Sequence, residues 1–135
     1  MKATKNRAAV VSMRDDRLLA IRRTKQGRRY AVLPGGGIEL NESAQEAALR
    51  ELLEETGLPG EVLRHLRTLD HEGRLADYFL VAVPVAPMVI SGPEAQAMSS
   101  DNTYEPSWIL VADLDSENLQ PATMRPLIRD LAGTP

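Results

Sequence analysis

A chain of 135 residues and 14.8 kDa is one domain (residues 1–135) with enough material for a real core. Hydrophobic residues at 43% and charged residues at 26% describe an ordinary globular protein, while a net charge of −3 gives no basic footprint for a nucleic-acid polymer. The absence of cysteine excludes disulfides, thiolate nucleophiles and zinc–thiolate sites, and no apolar run suits a membrane span or a signal peptide, so the expected location is cytoplasmic.

Residues 1–6 read as a polar, basic, frayed tail. Ala8–Met13 is expected as a short buried strand, 14–17 as a turn, and Leu18–Arg23 as the returning strand of a hairpin. Alternation along that second strand carries Leu19, Ile21 and Arg23 to one face and Arg22 to the other. A cation at the core-side end of a strand is costly unless it meets an anion, so Arg23 is the better candidate for binding one. Lys25, Arg28 and Arg29 follow in a polar loop over 24–29, and Tyr30–Leu33 leads into four turn formers, Pro34-Gly35-Gly36-Gly37.

Ser43 with Glu46 forms a capping box, and Gly57 followed by Pro59 ends the helix that it starts. Leu49, Leu52, Leu53 and Thr56 fall at i, i+3, i+4, i+7 and are expected to form its buried stripe. Glu51, Glu54 and Glu55 project together on the other side, with Ala44 and Ala47 leaving them uncovered. Like charges at these spacings oppose the helix, and three clustered carboxylates suit a hard divalent cation such as Mg²⁺. A solvated acidic face is the plain alternative.

Beyond the helix, 61–69 is expected as a strand, 70–74 as a turn around Gly73, and 76–85 as a central apolar strand. His65 and His71 lack a second histidine at ligand spacing and are read as structural. Residues 84–103 form an irregular segment too long for a tight turn, and such segments are usually functional or mobile. Residues 104–111 make a last strand containing Trp108, either a packing aromatic under the final helix or a wall on which a base stacks. Residues 122–131 form the terminal helix. These elements indicate an α/β (α+β) sandwich.

The pattern G-x5-E-x7-R-E-U-x-E-E-x-G-U, with U aliphatic, is filled without a gap by Gly36, Glu42, Arg50, Glu51, Leu52, Glu54, Glu55, Gly57 and Leu58. This resembles the box of the Nudix hydrolase family, and specifically its compact MutT-like members. The resemblance implies a mixed β-sheet sandwiched between helices, with the box helix presenting acids to a cleft. It further implies hydrolysis of a phosphoanhydride in a nucleoside diphosphate linked to another moiety, by water attack on phosphorus. Mg²⁺ or Mn²⁺ would withdraw charge from the phosphate oxygens and acidify a water.

By the same resemblance, Glu54 and Glu55 are metal ligands, and Glu51 binds a second metal or takes the water's proton. Gly36 gives a carbonyl oxygen to a metal, and the backbone at Gly35 and Gly36 approaches the phosphates. Arg50 orients the glutamates, supported by Glu42. One further acid comes from the 84–103 segment, Glu94 ahead of Asp101 and Glu105. Arg23 corresponds to a phosphate-contacting arginine, and Trp108 is a candidate substrate contact. The expected partner is a small nucleotide-type molecule, with a homodimer compatible with the chain. The alternatives are a non-catalytic nucleotide-binding or regulatory domain, and nucleotide-pool sanitising of the 8-oxo-dGTP type. Against the latter, antimutators carry an asparagine near the last helix where this chain is expected to have Thr123, whose hydroxyl cannot offer an amide's paired donor and acceptor. An isomerase on this fold is set aside because that chemistry uses a cysteine.

Overall fold

Alternate residues of the first strand face two different cores, and the rest of the architecture follows from that division. In the computed structural model, which describes residues 5–133, β1 (Arg7–Val11) turns Ala8 and Val10 toward one cluster and Ala9 and Val11 toward the other. The first cluster lies under α1 (Ala44–Thr56), which contributes Ala47, Ala48 and Leu52. The second lies under α3 (Arg125–Gly133), which contributes Ile128, with Met124 from the 3₁₀ turn before it. Period-2 alternation in the strand and one apolar face on each helix therefore build a helix–sheet–helix sandwich.

Two curled mixed sheets form the middle. In one, β5 (Gly35–Gly37) runs antiparallel to β1, β1 parallel to β7 (Arg74–Ala82), and β7 antiparallel to β6 (Glu61–His71), which leaves β7 in the interior as expected. In the other, β3 (Arg17–Lys25) pairs with β2 (Met13–Arg14), with β4 (Arg28–Val32) and, along its full length, with β8 (Asn102–Leu110). The short β9 (Leu119–Gln120) lies parallel to β4.

Several expectations need correction. The anticipated hairpin is only β2 with β3, because the chain changes sheets at the buried Ser12. Its longer partner β1 is instead held by strands far along the sequence. Residues 24–29 are not a polar loop: β3 and β4 meet in a tight hairpin at Gln26 and Gly27, whose φ values of 51° and 79° match a two-residue primed turn. Of the supposed frayed tail, residues 1–4 lie outside the described residues. Lys5 pairs with Glu39, and Asn6 receives the amides of Ile38 and Leu75. On α1 the stripe is rotated. Leu52 and Thr56 are buried, but Leu53 is 52% exposed, and Ala47, Ala48, Glu51 and Glu55 take the inward positions.

The turn formers 35–37 are a strand after all, and their glycines answer to close approach. A Cβ on Gly35 would stand 2.5 Å from the Ala8 carbonyl oxygen and 2.8 Å from Ala9 Cα, which are backbone atoms that cannot step aside. At Gly37 the nearest atom to such a Cβ is Lys5 Cδ, at 3.0 Å on a flexible side chain. Gly35→Ala should accordingly lower stability in urea by about 1–3 kcal/mol or more, as overpacking does, while Gly37→Ala changes it much less. Equal losses for the two variants would show that strand spacing does not require glycine at 35.

Candidate active site

Helix α1 delivers the acids because its ends are well defined. Ser43 accepts from the Glu46 amide at 3.0 Å, the Glu46 carboxylate accepts from the Ser43 amide at 2.8 Å, and Gly57 closes the last turn at φ 75°. One face of this helix then leans on β5. Glu51 and Glu55 are not an uncovered surface, as the leucine spacing suggested; they are 8% and 5% exposed, and only Glu54 remains partly open. A Cβ on Gly36 would stand 2.5 Å from Glu51 Oε1, so the bare glycine backbone is what admits the carboxylate. Glu55 Oε1 accepts from the Gly35 amide at 2.9 Å.

Arg50 organises the outer edge. Its Nε and Nη2 hold Glu42 in a fork at 2.8 and 3.0 Å, its Nη1 donates to Glu51 Oε1 at 2.9 Å, and its Nη2 also reaches the Gly37 carbonyl at 3.0 Å. Glu54 lies 3.8 Å from Nη1. Hydrogen bonding from Arg50 draws the Glu42 carboxyl down to about 2, and the same contact raises the guanidinium's own pKa. Burial acts oppositely on the inner acids. It raises Glu51 despite the Arg50 contact, and it pushes Glu55 up to about 9 despite the Gly35 amide, with Glu51 and Glu94 adding like-charge repulsion.

The acids floor a cleft of about 440 Å³ whose opposite wall comes from β3, β4 and β8. Arg23 stands on that wall, on the face of Leu19 and Ile21, as alternation required; Arg22 points the other way and pairs with Glu117 at 2.6 Å. Strand pairing places Tyr30 and Tyr104 on either side of Arg23, with its guanidinium 3.7 Å from the Tyr104 ring centre and 5.7 Å from Tyr30. Its Nε donates to the Thr103 carbonyl at 3.0 Å. Glu94 completes the ring of acids from α2 (Gly92–Ala97), a short helix inside the irregular segment. That segment is pinned to the end of α1, where the amides of Ser91 and Val89 satisfy the Glu54 and Thr56 carbonyls at 2.6 and 2.9 Å. Asp101 and Glu105 stay outside, the first held by Ser99 and the second facing Arg22.

A second pocket of about 290 Å³ shares Arg7, Val32 and Leu33 with the cleft and adds Ala9, Ala76, Tyr78, Arg74, His71, Gln120 and Pro121. Thr123 is exposed and lines neither space. Gln120 supplies an amide at that corner, and its Nε2 donates to Asn118 Oδ1 at 2.8 Å. Trp108 lines neither space. It shares the face of Tyr104 four residues further along β8, packs into the cluster beneath α1 and carries Arg14 at 4.4 Å, so it is neither under the final helix nor a cleft wall. His65 is tied to Asp77 and Thr68 away from the acids. Sequence reasoning missed Arg7, Tyr104 and Gln120. Pairing across Arg23 would have pointed to Tyr104, but pairing is not written in one strand.

The donor set fits a hard cation. Every converging ligand atom is oxygen, and Glu51 Oε2 and Glu94 Oε2 are buried without a hydrogen-bond partner. Among the described residues no three acidic or histidine side chains close into a finished metal cage. Mg²⁺ keeps several waters and draws on substrate phosphates, so an incomplete protein set suits it.

A model of the NUDIX domain matches residues 3–131. Among curated proteins, the putative mutator protein MutT4 of Mycobacterium tuberculosis is 47% identical over 47 residues, 35% of this chain and 19% of that protein. A MutT-like protein of Streptomyces ambofaciens is 49% identical over 55 residues, 41% of this chain and 34% of the other. The chain thus spans about a fifth and a third of these two relatives. A NUDIX family hydrolase from Clostridium perfringens superimposes with a TM-score of 0.71 at 17% identity, covering 96% of this chain and 99% of that one. An ADP-ribose pyrophosphatase from Streptococcus suis gives 0.71 at 16%, covering 98% and 94%. At these identities the structural likeness shows the fold.

The Glu55 environment has a measurable consequence. Its folded pKa of about 9 exceeds the ordinary 4.5, so between those values the folded chain keeps a proton that the unfolded chain has lost. Stability of the metal-free protein should therefore fall as pH rises from 5 to 9, and fall less in Glu55→Gln. Melting curves in chelator would check this, and Mg²⁺ should recover the loss at pH 9. Superimposable pH profiles for the two proteins would count against a strained Glu55.

Proposed function

The chain belongs to the NUDIX domain family, and on that footing we propose that it is a divalent-metal-dependent hydrolase of the phosphoanhydride bond in a nucleoside diphosphate linked to another moiety. The observation that carries this reading is the burial of Glu51 and Glu55 beside Glu94, with two carboxylate oxygens unpartnered. Buried like charges are costly unless a cation joins them. Glu51, Glu54, Glu55 and Glu94, with the Gly36 carbonyl, would hold Mg²⁺ or Mn²⁺. When bound, the ion supplies positive charge that neutralises phosphate oxygens and acidifies water.

The protein's own groups do the rest. Glu51, buried and above its ordinary pKa, would receive the attacking water's proton, with Glu54 as the alternative acceptor. Arg50 is already spoken for by Glu42, Glu51 and the Gly37 carbonyl, so it orients the acids and does not reach toward substrate. Across the cleft, Arg23 still has guanidinium hydrogens beyond those given to Thr103 and Asn102, and these suit a phosphate oxygen. Backbone at Gly35 and Gly36 allows close approach of the diphosphate. The adjoining pocket beside Tyr78 and Gln120 would take the group beyond it.

Activity against a panel of nucleoside triphosphates, ADP-ribose, nucleotide sugars and dinucleoside polyphosphates should require Mg²⁺ or Mn²⁺ and vanish in chelator; full turnover in excess EDTA would sink the reading. Glu54→Gln and Glu55→Gln should lose turnover by orders of magnitude while melting at the same or a higher temperature, because like-charge repulsion is relieved. Arg23→Ala should lower kcat/KM by about tenfold or more, the worth of a charge-assisted hydrogen bond of roughly 1.5–3 kcal/mol. Arg22→Ala should change it little. Equal, small effects from both arginines would move the phosphate contact elsewhere.

A further inference from the structure

Asn102, the first residue of β8, bonds to two elements that each carry a lining residue of the cleft, β3 with Arg23 and α2 with Glu94. Its Oδ1 accepts from Arg23 Nη2 at 2.8 Å, and its Nδ2 donates to the carbonyl of Ala97, the last residue of α2, at 3.1 Å. The backbone locks the same corner: the Asn102 amide donates to the Ser99 carbonyl at 3.2 Å, and the Ser99 amide returns a bond at 2.9 Å. Its side-chain amide thus accepts through oxygen on one side and donates through nitrogen on the other from a single planar group.

Both partners depend on outside support. Helix α2 spans six residues and has no side-chain cap at its start, so it cannot hold its own geometry. One end is fixed by the Ser91 amide on the Glu54 carbonyl at 2.6 Å, and the other by Asn102. Glu94 is carried between those two anchors. Arg23 is oriented by the Thr103 carbonyl, the Tyr104 ring and Asn102.

We propose that Asn102 is a positioning residue that couples Arg23 on the phosphate wall to Glu94 on the acidic floor, so the two sides of the cleft are set in register by one amide. This rests on the hydrolase reading for the roles of Arg23 and Glu94. The physical link itself is independent of turnover.

The test is Asn102→Ala, read by Mn²⁺ binding to substrate-free protein through the electron paramagnetic resonance of free Mn²⁺, by KM and kcat on the best substrate of the panel, and by melting temperature. Loss of one net hydrogen bond on each side should raise the Mn²⁺ Kd and the KM each by about threefold to tenfold, with melting near that of the parent. In a Glu94→Gln background, Asn102→Ala should leave the Mn²⁺ Kd unchanged. In an Arg23→Ala background, it should leave KM unchanged, since a coupling disappears once its partner is gone. Asn102→Gln, which keeps the amide, should recover part of both effects and serves if the alanine variant does not fold. Unchanged Mn²⁺ affinity and KM in Asn102→Ala, or full additivity in both double variants, overturns the proposal. Failure of the parent protein to hydrolyse any member of the panel would sink the hydrolase reading instead, with the Mn²⁺ arm still deciding on Asn102.

Discussion

Two carboxylates pressed against a strand of bare backbone are the constraint from which the other features follow. Glu51 and Glu55 leave water, stand near each other and face Glu94, which would destabilise the fold if all three were charged without a partner. The chain moderates this with an amide from Gly35 and a guanidinium from Arg50, neither of which neutralises the whole set. What remains is a site whose lowest energy requires either a proton or a cation. That residual frustration is expected where binding, more than folding, determines the side chains.

The glycines and the arginine have separate parts in the same problem. Side chains at 35 and 36 would collide with β1 or with Glu51, so the carboxylates can be buried only because β5 has none. Arg50, fixed by a two-point grip on Glu42, holds Glu51 at a set distance from the glycine strand. Removing this partly buried guanidinium would leave Glu42 and Glu51 without their cation.

Rigid and less rigid elements divide the remaining work. The acidic floor stands on a capped helix over a packed cluster, and the arginine wall stands on a three-strand ladder of β8, β3 and β4. Glu94 alone arrives on a short helix, tethered where the terminal carbonyls of α1 need donors. A site assembled from three such pieces depends on how they are joined, which gives the contacts at Ser91 and Asn102 more weight than their exposure suggests.

Local chemistry explains what was legible in the chain. The box from Gly36 to Leu58, the capping residues, the α1 boundaries and the cleft-facing positions of Arg23 and Glu94 all rest on short-range spacing or on family resemblance. Tertiary structure decided what spacing alone cannot carry. Which face of α1 is buried was reversed in part, since the glycine strand accepts Glu51 and Glu55 while Leu53 is left to solvent. Residues 35–37 became a strand because β1 was there to pair with them, whereas the hairpin over 24–29 turns on the local pair Gln26-Gly27. Trp108 went to the core beneath α1, and Gln120 replaced Thr123 at the pocket corner, because sheet register and the 3₁₀ turn set those positions. Hydrogen-bonded pairing between distant strands has no local signature, so one sequence determines the chemistry of this site more fully than its walls.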